Sequence, residues 1–187
     1  ALDDISSRIN IPIKKAVITI PAYNAECTLV HGNVPIVNEE KMVTEKDILR
    51  VQNSVVNDIL PNMELVSVTP IDFTIYENGS EIETLKDPKN KICDRLGIRA
   101  MMVCVPKTSV VSFAKVVEKS GVEVVDLVLS PIADFEEVKT EELESGMTAV
   151  INIGKTITTV SMFNKGIITN TSVLKIGSKI IDDDISY

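Results

Sequence analysis

The stretch that decides the fold is residues 148–166, TAVINIGKTITTVSMFNKG. An apolar strand runs into a turn of small and hydroxyl residues, and a second apolar strand follows. An Asn-Lys-Gly turn then leads into a third strand ending near Leu174, so the pattern predicts a three-stranded meander. A Gly/Thr turn between two strands is a candidate phosphate loop, because its backbone N–H groups can approach phosphate oxygens. The same residues also fit an ordinary β-turn with exposed threonines.

The composition excludes several classes of function. Of the 187 residues 44% are apolar, which is enough to build a sizeable core. A formal net charge of −8 argues against a nucleic-acid-binding surface, which needs clustered Lys and Arg. Cys27, Cys93 and Cys104 are far apart and His31 is the one histidine, so neither a disulfide nor a metal centre is indicated. A reducing compartment is the simpler interpretation.

The rest of the chain alternates strand and helix patterns, which predicts an α/β or α+β fold. Residues 77–97 are turn-rich and charged and predict an exposed loop. Pro70 within a long strand predicts an edge position or a bulge. Thr44 and Asp47 predict a capped helix start. The expected strands are 15–20, 27–30, 34–37 (an edge strand, after a turn at 31–33), 64–76, 98–105 and 122–129. The expected helices are near 2–9 and at 44–60, 108–119 and 133–143.

Several of these segments, taken together and in order, resemble bacterial FtsA, the actin-like cell-division protein that tethers FtsZ filaments to the membrane. Residues 142–154, ELESGMTAVINIG, resemble the approach to its second phosphate motif, a strand ending Asp-Ile-Gly-Gly-Gly-Thr-Thr-Asp. Other matches are Val68 to Phe73, Gly97 to Ala100, Val117 to Val122, Ile176-Gly177-Ser178 and Asp182 to Ile185. The resemblance covers almost the whole chain.

The resemblance implies an actin-like (ribonuclease H-like) fold in three parts. Residues 1–22 and 106–146 would belong to subdomain 1A, and residues 147–187 would begin subdomain 2A. Residues 23–105 would be the inserted 1C module, in which one helix packs on a small sheet. The chain opens at Ala1 without Met and ends at Tyr187 inside a helical pattern, so we expect a fragment of a longer protein.

By the same resemblance, a nucleotide phosphate loop would involve Asn152, Gly154, Lys155, Thr156 and Thr158, together with Gly177, and its ligands would be ATP and Mg²⁺. The motif is degenerate, which predicts a protein that is not a competent ATPase, and no catalytic residue is assigned. Asn cannot supply the negative charge of the family's Asp. The departures from the family motif are Asn152 for Asp, Lys155 and Thr156 for two glycines, Ile157 for Thr and Thr159 for the closing Asp.

The function implied by the resemblance is that of a cell-division adaptor. It would contact FtsZ and other division proteins and self-associate through 1C, with residues 34–37 and 77–97 as candidate docking surfaces. It would lie at the cytoplasmic face of the cell membrane, attached through regions outside these residues. Two alternatives are an actin-like ATPase and a scaffold like the pilus-assembly protein PilM. Asp182 to Asp184 fit the acidic start of a helix or, alternatively, a metal cluster.

Overall fold

The computed structural model describes residues 2–56 and 59–185. Helices and strands alternate along most of the chain, giving the mixed α/β fold that the sequence predicts. In chain order the elements are α1 (Leu2–Ile9), β1 (Lys15–Ile20), β2 (Glu26–Pro35), α2 (Glu45–Ser54), β3 (Met63–Glu77), β4 (Ser80–Leu85), β5 (Arg95–Pro106), α3 (Lys107–Glu118), β6 (Glu123–Leu129), α4 (Ser130–Val138), α5 (Glu141–Ser145), β7 (Met147–Ile153), β8 (Thr158–Asn164), β9 (Ile167–Leu174) and α6 (Lys179–Ile185).

The described strands form three sheets. β1 and β6 pair in parallel, with Ile20 opposite Leu129. A four-stranded antiparallel sheet has the order β2-β5-β3-β4, and β7-β8-β9 form an antiparallel meander as predicted. β1 and β6 are neighbours in space although many elements separate them in sequence. The chain therefore leaves β1, forms those elements and returns to pair with β1 as β6.

The four-stranded sheet has its own hydrophobic core under α2. Val51 and Leu96 are completely buried in it, and all its buried members come from residues 34–100. A side chain at Gly32 would clash with this helix, because a Cβ would lie 2.4 Å from Ser54 Oγ and 2.7 Å from Val55 Cγ1. Glycine therefore lets the end of α2 sit directly on β2.

A second core joins the far end of this sheet to the meander. Val103 and Val105 of β5 pack with Phe135 of α4 and with Phe163 and Ile168 of the meander. The rings of Phe135 and Phe163 stack with their centroids 4.3 Å apart. The position of β7–β9 is thus determined by aromatic and aliphatic contacts to α4 and β5.

The structure corrects two predictions about the four-stranded sheet. The predicted turn at 31–33 lies inside one continuous strand, where His31 is opposite Arg99; Gly32 is required by helix packing and not by a turn. The predicted loop at 77–97 contains β4 and the start of β5. Its Asn78-Gly79 pair, with both φ angles positive, makes the tight turn of a β3–β4 hairpin.

The interpretation of Pro70 is confirmed. The register of β3 against β5 shifts between Pro70 and Asp72, which is a bulge. β4 pairs with β3 only from Phe73 onward, so Pro70 has a single neighbouring strand and its missing N–H breaks no second ladder.

The structure also corrects the predicted boundaries of the helices. α2 ends at Ser54 and not at residue 60, and residues 57–58 lie outside the described residues. α3 begins after Pro106 and not at a Thr108 cap, and the predicted acidic helix is two short helices, α4 and α5. The capped start of α2 is confirmed: Asp47 accepts hydrogen bonds from the backbone N–H of Thr44 at 3.1 Å and from its hydroxyl at 2.6 Å.

Candidate phosphate-loop site

The candidate phosphate loop is a tight turn between β7 and β8. Ile153 and Thr158 face each other as the last pair of the ladder. The backbone N–H of Gly154 donates to the carbonyl of Ile157 at 2.8 Å, which closes the turn. Lys155 and Thr156 are exposed at its tip. The turn therefore lies where the sequence predicts, at the junction of two paired strands.

The start of α6 is bonded directly to this turn. The N–H of Ser178 donates to the carbonyl of Gly154 at 2.9 Å, and that of Lys179 donates to the carbonyl of Lys155 at 2.9 Å. The Thr158 hydroxyl adds a hydrogen bond of 2.7 Å to the carbonyl of Ile176. We call this set of three hydrogen bonds the turn–helix clasp. It brings Gly154, Lys155, Thr158 and the Gly177 segment into one place.

Gly177 makes the clasp possible. A Cβ at this position would lie 2.4 Å from both the carbonyl carbon and the oxygen of Lys155, and 2.5 Å from the oxygen of Gly154. Because these are backbone atoms of a hydrogen-bonded turn, they cannot move aside as a side chain could. Gly177 is therefore fixed by close backbone approach to the turn.

The side chain of Asn152 is hydrogen-bonded to a residue of helix α4. Its side-chain Nδ2 donates to Asp134 Oδ2 at 2.8 Å, linking the end of β7 to α4. This partner, eighteen positions earlier in the chain, was missed by sequence reasoning. Asp134 carries no local signal beyond its place in an acidic helix.

The arrangement is a poor fit for a magnesium nucleotide. The two N–H groups at the start of α6 are bonded to carbonyls of the turn, so they present no free donors to a phosphate. The amide of Asn152 is paired with Asp134 and carries no charge for a metal-bound water. Within the described part of the chain, these residues form a packed backbone junction and show no nucleotide or Mg²⁺ site.

The prediction for Asp182 to Asp184 is wrong about the helix start. α6 begins at Lys179, so the three aspartates lie in its second half. They are too far along the helix to cap its N-terminal N–H groups. The side chains of Asp182 and Asp183 lie outside the described residues.

The four-stranded sheet carries its charges as local pairs. Burial alone would raise the pKa of Asp47, but hydrogen bonds from Thr44 and the ion pair with Arg50, at 2.8 Å, hold it below its usual value. The pKa of Asp94 is also lowered, by hydrogen bonds from Lys41 and from the backbone N–H of Asn78. These interactions fix the start of α2 and the turn of the β3–β4 hairpin.

The cysteines have the character of buried thiols. Burial raises the pKa of Cys27, Cys93 and Cys104 above the ordinary value. A thiol with a raised pKa is a poor nucleophile at neutral pH. None of the three takes part in the turn–helix clasp.

Comparison with solved structures concerns the fold. The chain superposes on a chain of the PilM-PilN type IV pilus biogenesis complex with a TM-score of 0.53, covering 99% of this chain and 50% of that one at 15% identity. At this identity the likeness concerns the fold alone. The predicted actin-like fold is confirmed.

Comparison with curated proteins is more specific. The chain is 28% identical over its whole length to the cell division protein FtsA of Bacillus subtilis, 28% to that of Enterococcus faecalis and 29% to that of Enterococcus hirae. It spans 42%, 42% and 41% of those proteins. The predicted resemblance to FtsA is therefore confirmed as that of a divergent FtsA-like segment. No protein-family model matches the chain. None of the helices in the described residues has the length and hydropathy to span a membrane.

Proposed function

We propose that this chain is part of an FtsA-like cell-division adaptor that works by protein–protein contact. Residues 23–105 act as its 1C interaction module, residues 1–22 and 106–146 belong to 1A, and residues 147–187 begin 2A. In the longer protein the module binds division partners and further copies of itself. Other regions then hold FtsZ filaments at the cytoplasmic face of the membrane. The similarity to FtsA, which extends over the whole of this chain and 42% of each of two relatives, supports this assignment.

The observation that carries the proposal is the way in which residues 23–105 are connected to the rest of the chain. Its core draws its buried members from residues 34–100. The chain enters along β2 and leaves along β5, which are paired antiparallel with Glu26 opposite Cys104. A unit with its own core and adjacent ends can present a binding surface without altering the β1–β6 pair beneath it.

The test removes the module at its base. Val30 and Ala100 are opposite each other, so residues 31–99 can be replaced by an Asn-Gly turn in the longer protein. This keeps Val103 and Val105, which belong to the second core. We expect recruitment to mid-cell to be lost, because the partner-binding surface is gone, and fluorescence microscopy of a tagged protein measures this.

The matched control is Lys165→Ala, an exposed substitution in the β8–β9 turn, which should localise normally. Circular dichroism and a sharp thermal transition would show that the shortened protein is folded. Normal recruitment of the folded, shortened protein would contradict the proposal.

A second candidate function is nucleotide binding, favoured by the position of the 154–157 turn between two strands and by exposed Lys155. Titration calorimetry of the longer protein with Mg²⁺ and ATP tests it, with Lys155→Ala as the matched variant. Heat that is lost in the variant would support an ATP site at this turn. Absence of heat at millimolar nucleotide would count against it.

A third candidate is a pilus-assembly scaffold, supported by a fold likeness that extends over nearly the whole chain. The genes that flank the coding sequence separate it from the first candidate. Division genes would support the adaptor, and pilus genes would support the scaffold.

A further inference from the structure

A cavity lies on the helix-covered face of the four-stranded sheet, beyond the end of α2. The helix ends at Ser54, whereas β2 and β5 continue past it, with Thr28 opposite Met102 and Glu26 opposite Cys104. The helix therefore covers only part of this face, and a cavity of about 350 Å³ remains beside its end. Sites for small organic molecules in proteins typically begin at about 300 Å³.

The floor of the cavity is apolar and adaptable. Met63, Met102 and Cys104 form one small hydrophobic cluster there, and their exposed fractions are 5%, 8% and 4%. Methionine side chains are flexible and polarisable, so they adapt to ligands of different shape and pack well against aromatic rings. Burial raises the pKa of the Cys104 thiol, so the thiol contributes no charge to the floor at neutral pH.

The rim of the cavity is negative. Glu26 lines it with an exposed carboxylate, and the C-terminal end of α2 lines it through Ser54 and Val55. Backbone carbonyls give this end of a helix a partial negative charge, and the last turn of α2 has no basic residue to offset it. The rim residues come from two stretches of sequence, 16–40 and 51–85, that contain no Lys or Arg.

We propose that this cavity binds a small amphiphilic amine, with its apolar body on the methionine floor and its protonated nitrogen beside Glu26. The carboxylate and the end of α2 both attract a positive charge, so the rim selects an amine over a carboxylic acid of the same shape. The apolar floor selects against strongly hydrated inorganic cations, which would have to lose their water. This site goes beyond the proposed function, because it requires neither a division partner nor a second copy of the chain.

Two probes with the same apolar body test the proposal. Phenethylamine is a cation at neutral pH, and hydrocinnamate is an anion. Methyl NMR spectra of the full-length protein, labelled with carbon-13 at its methionines, follow both titrations. The amine should shift the signals of Met63 and Met102, and the anion should bind about tenfold more weakly. Met147 is the internal control, since it is 70% exposed on β7 and its signal should stay in place.

Substitutions separate the charge of the rim from the space of the cavity. Glu26→Gln should weaken binding of the amine about threefold, because the ion pair is lost while the floor is kept. Glu64→Gln is the matched control, at an exposed carboxylate of β3 that does not line the cavity, and it should leave the affinity unchanged. Thr28→Phe should fill the cavity from its exposed edge and abolish the shifts, with circular dichroism showing that the protein is folded.

Several outcomes would overturn the proposal. One is equal affinity for the amine and the anion, and another is a shift at Met147 as large as those at Met63 and Met102. A third is the absence of shifts at millimolar amine. Amine binding that is unchanged in Glu26→Gln would also overturn it, and this variant remains decisive if Thr28→Phe does not fold.

Discussion

The four-stranded sheet and the turn–helix clasp are held together in different ways. In the sheet, apolar side chains are packed until residues such as Val51 and Leu96 have no exposed surface. In the clasp, two backbone hydrogen bonds and one from a threonine join the 154–157 turn to α6, and nearby Ile153 is 67% exposed. The sheet is stabilised by the packing of its side chains. The clasp is stabilised by hydrogen bonds that depend on the path of the backbone.

This difference explains how the sequence of the 154–157 turn can vary while its shape persists. The clasp requires a glycine at position 177 and a hydroxyl at Thr158, and it makes no use of the side chains of Lys155 and Thr156. Substitutions at 155 and 156 should therefore leave the turn and its contact with α6 intact. The packed sheet has no such freedom at its buried positions.

The largest effect should come from the packed sheet. Leu96→Ala leaves a cavity at a completely buried position, so we expect the free energy of unfolding to fall by about 3 kcal/mol. Urea denaturation measures it. The matched variant is Leu49→Ala on the outer face of α2, where the side chain is 58% exposed and the loss should stay below about 0.5 kcal/mol. Equal losses would show that the sheet has no side-chain-dependent core.

The next largest effect should come from a substitution of Gly177 in the turn–helix clasp. Gly177→Ala places a methyl group against the backbone of residues 154 and 155, and we expect a loss of about 2 kcal/mol that is concentrated locally. Hydrogen exchange should speed up at the amides of Ser178 and Lys179 while α2 stays protected. The control is Gly146→Ala, because nothing lies within 4 Å of a Cβ there. Unchanged exchange in Gly177→Ala would refute the role of the glycine.

Lowering the pH should reduce the stability of the four-stranded sheet and its helix, because the cap of α2 depends on an ionised Asp47. The pKa of Asp47 is lowered in the folded state, so its contribution is fully present above the unfolded pKa of about 4 and is lost as pH falls through the folded pKa. Asp47→Asn should cost about 1 kcal/mol at pH 7 and progressively less below pH 4.

Thermal unfolding of both proteins at several pH values measures the difference. The control is Glu40→Gln, at an exposed carboxylate before α2, which should change the stability at pH 7 by less than about 0.5 kcal/mol. A cost of Asp47→Asn that is the same at pH 7 and pH 3 would contradict this account of the cap.

The smallest effect concerns Asn152 at the end of β7. Asn152→Asp would replace the amide that now donates to Asp134 at 2.8 Å by a second carboxylate, and should cost about 0.5 kcal/mol near pH 7 because the site is partly exposed. The repulsion raises the carboxyl pKa, so the cost should vanish as pH falls and the pair protonates. Adding Asp134→Asn should restore stability, and a double-mutant cycle measures the coupling. Zero coupling would show that the 152–134 contact contributes nothing.

Much of the fold could be predicted because its signals are local. The meander of β7–β9 and the strand β1 follow from apolar runs ended by Gly, Asn or Pro. The α2 start follows from Thr44 and Asp47, whose hydrogen bonds span only three residues.

The remainder depended on contacts that are distant in sequence. Gly32 has the signature of a turn, but it is fixed by packing against Ser54 and Val55 of a later helix. Residues 80–85 are polar enough to predict a loop, yet they pair with β3 because the Asn78-Gly79 turn folds them back. At the candidate site the partner of Asn152 is on another element, and no spacing rule points to Asp134.

The adjacency of β2 and β5 also has a consequence for the order of folding. Pairing β1 with β6 directly means closing a loop of about a hundred residues, which carries a large entropic cost. Once the four-stranded sheet has formed, Glu26 and Cys104 are neighbours, and the effective loop shrinks to the short connections on either side. The parallel pair, which among the described strand pairings joins the residues most distant in sequence, should therefore form late, with the four-stranded sheet acting as its template.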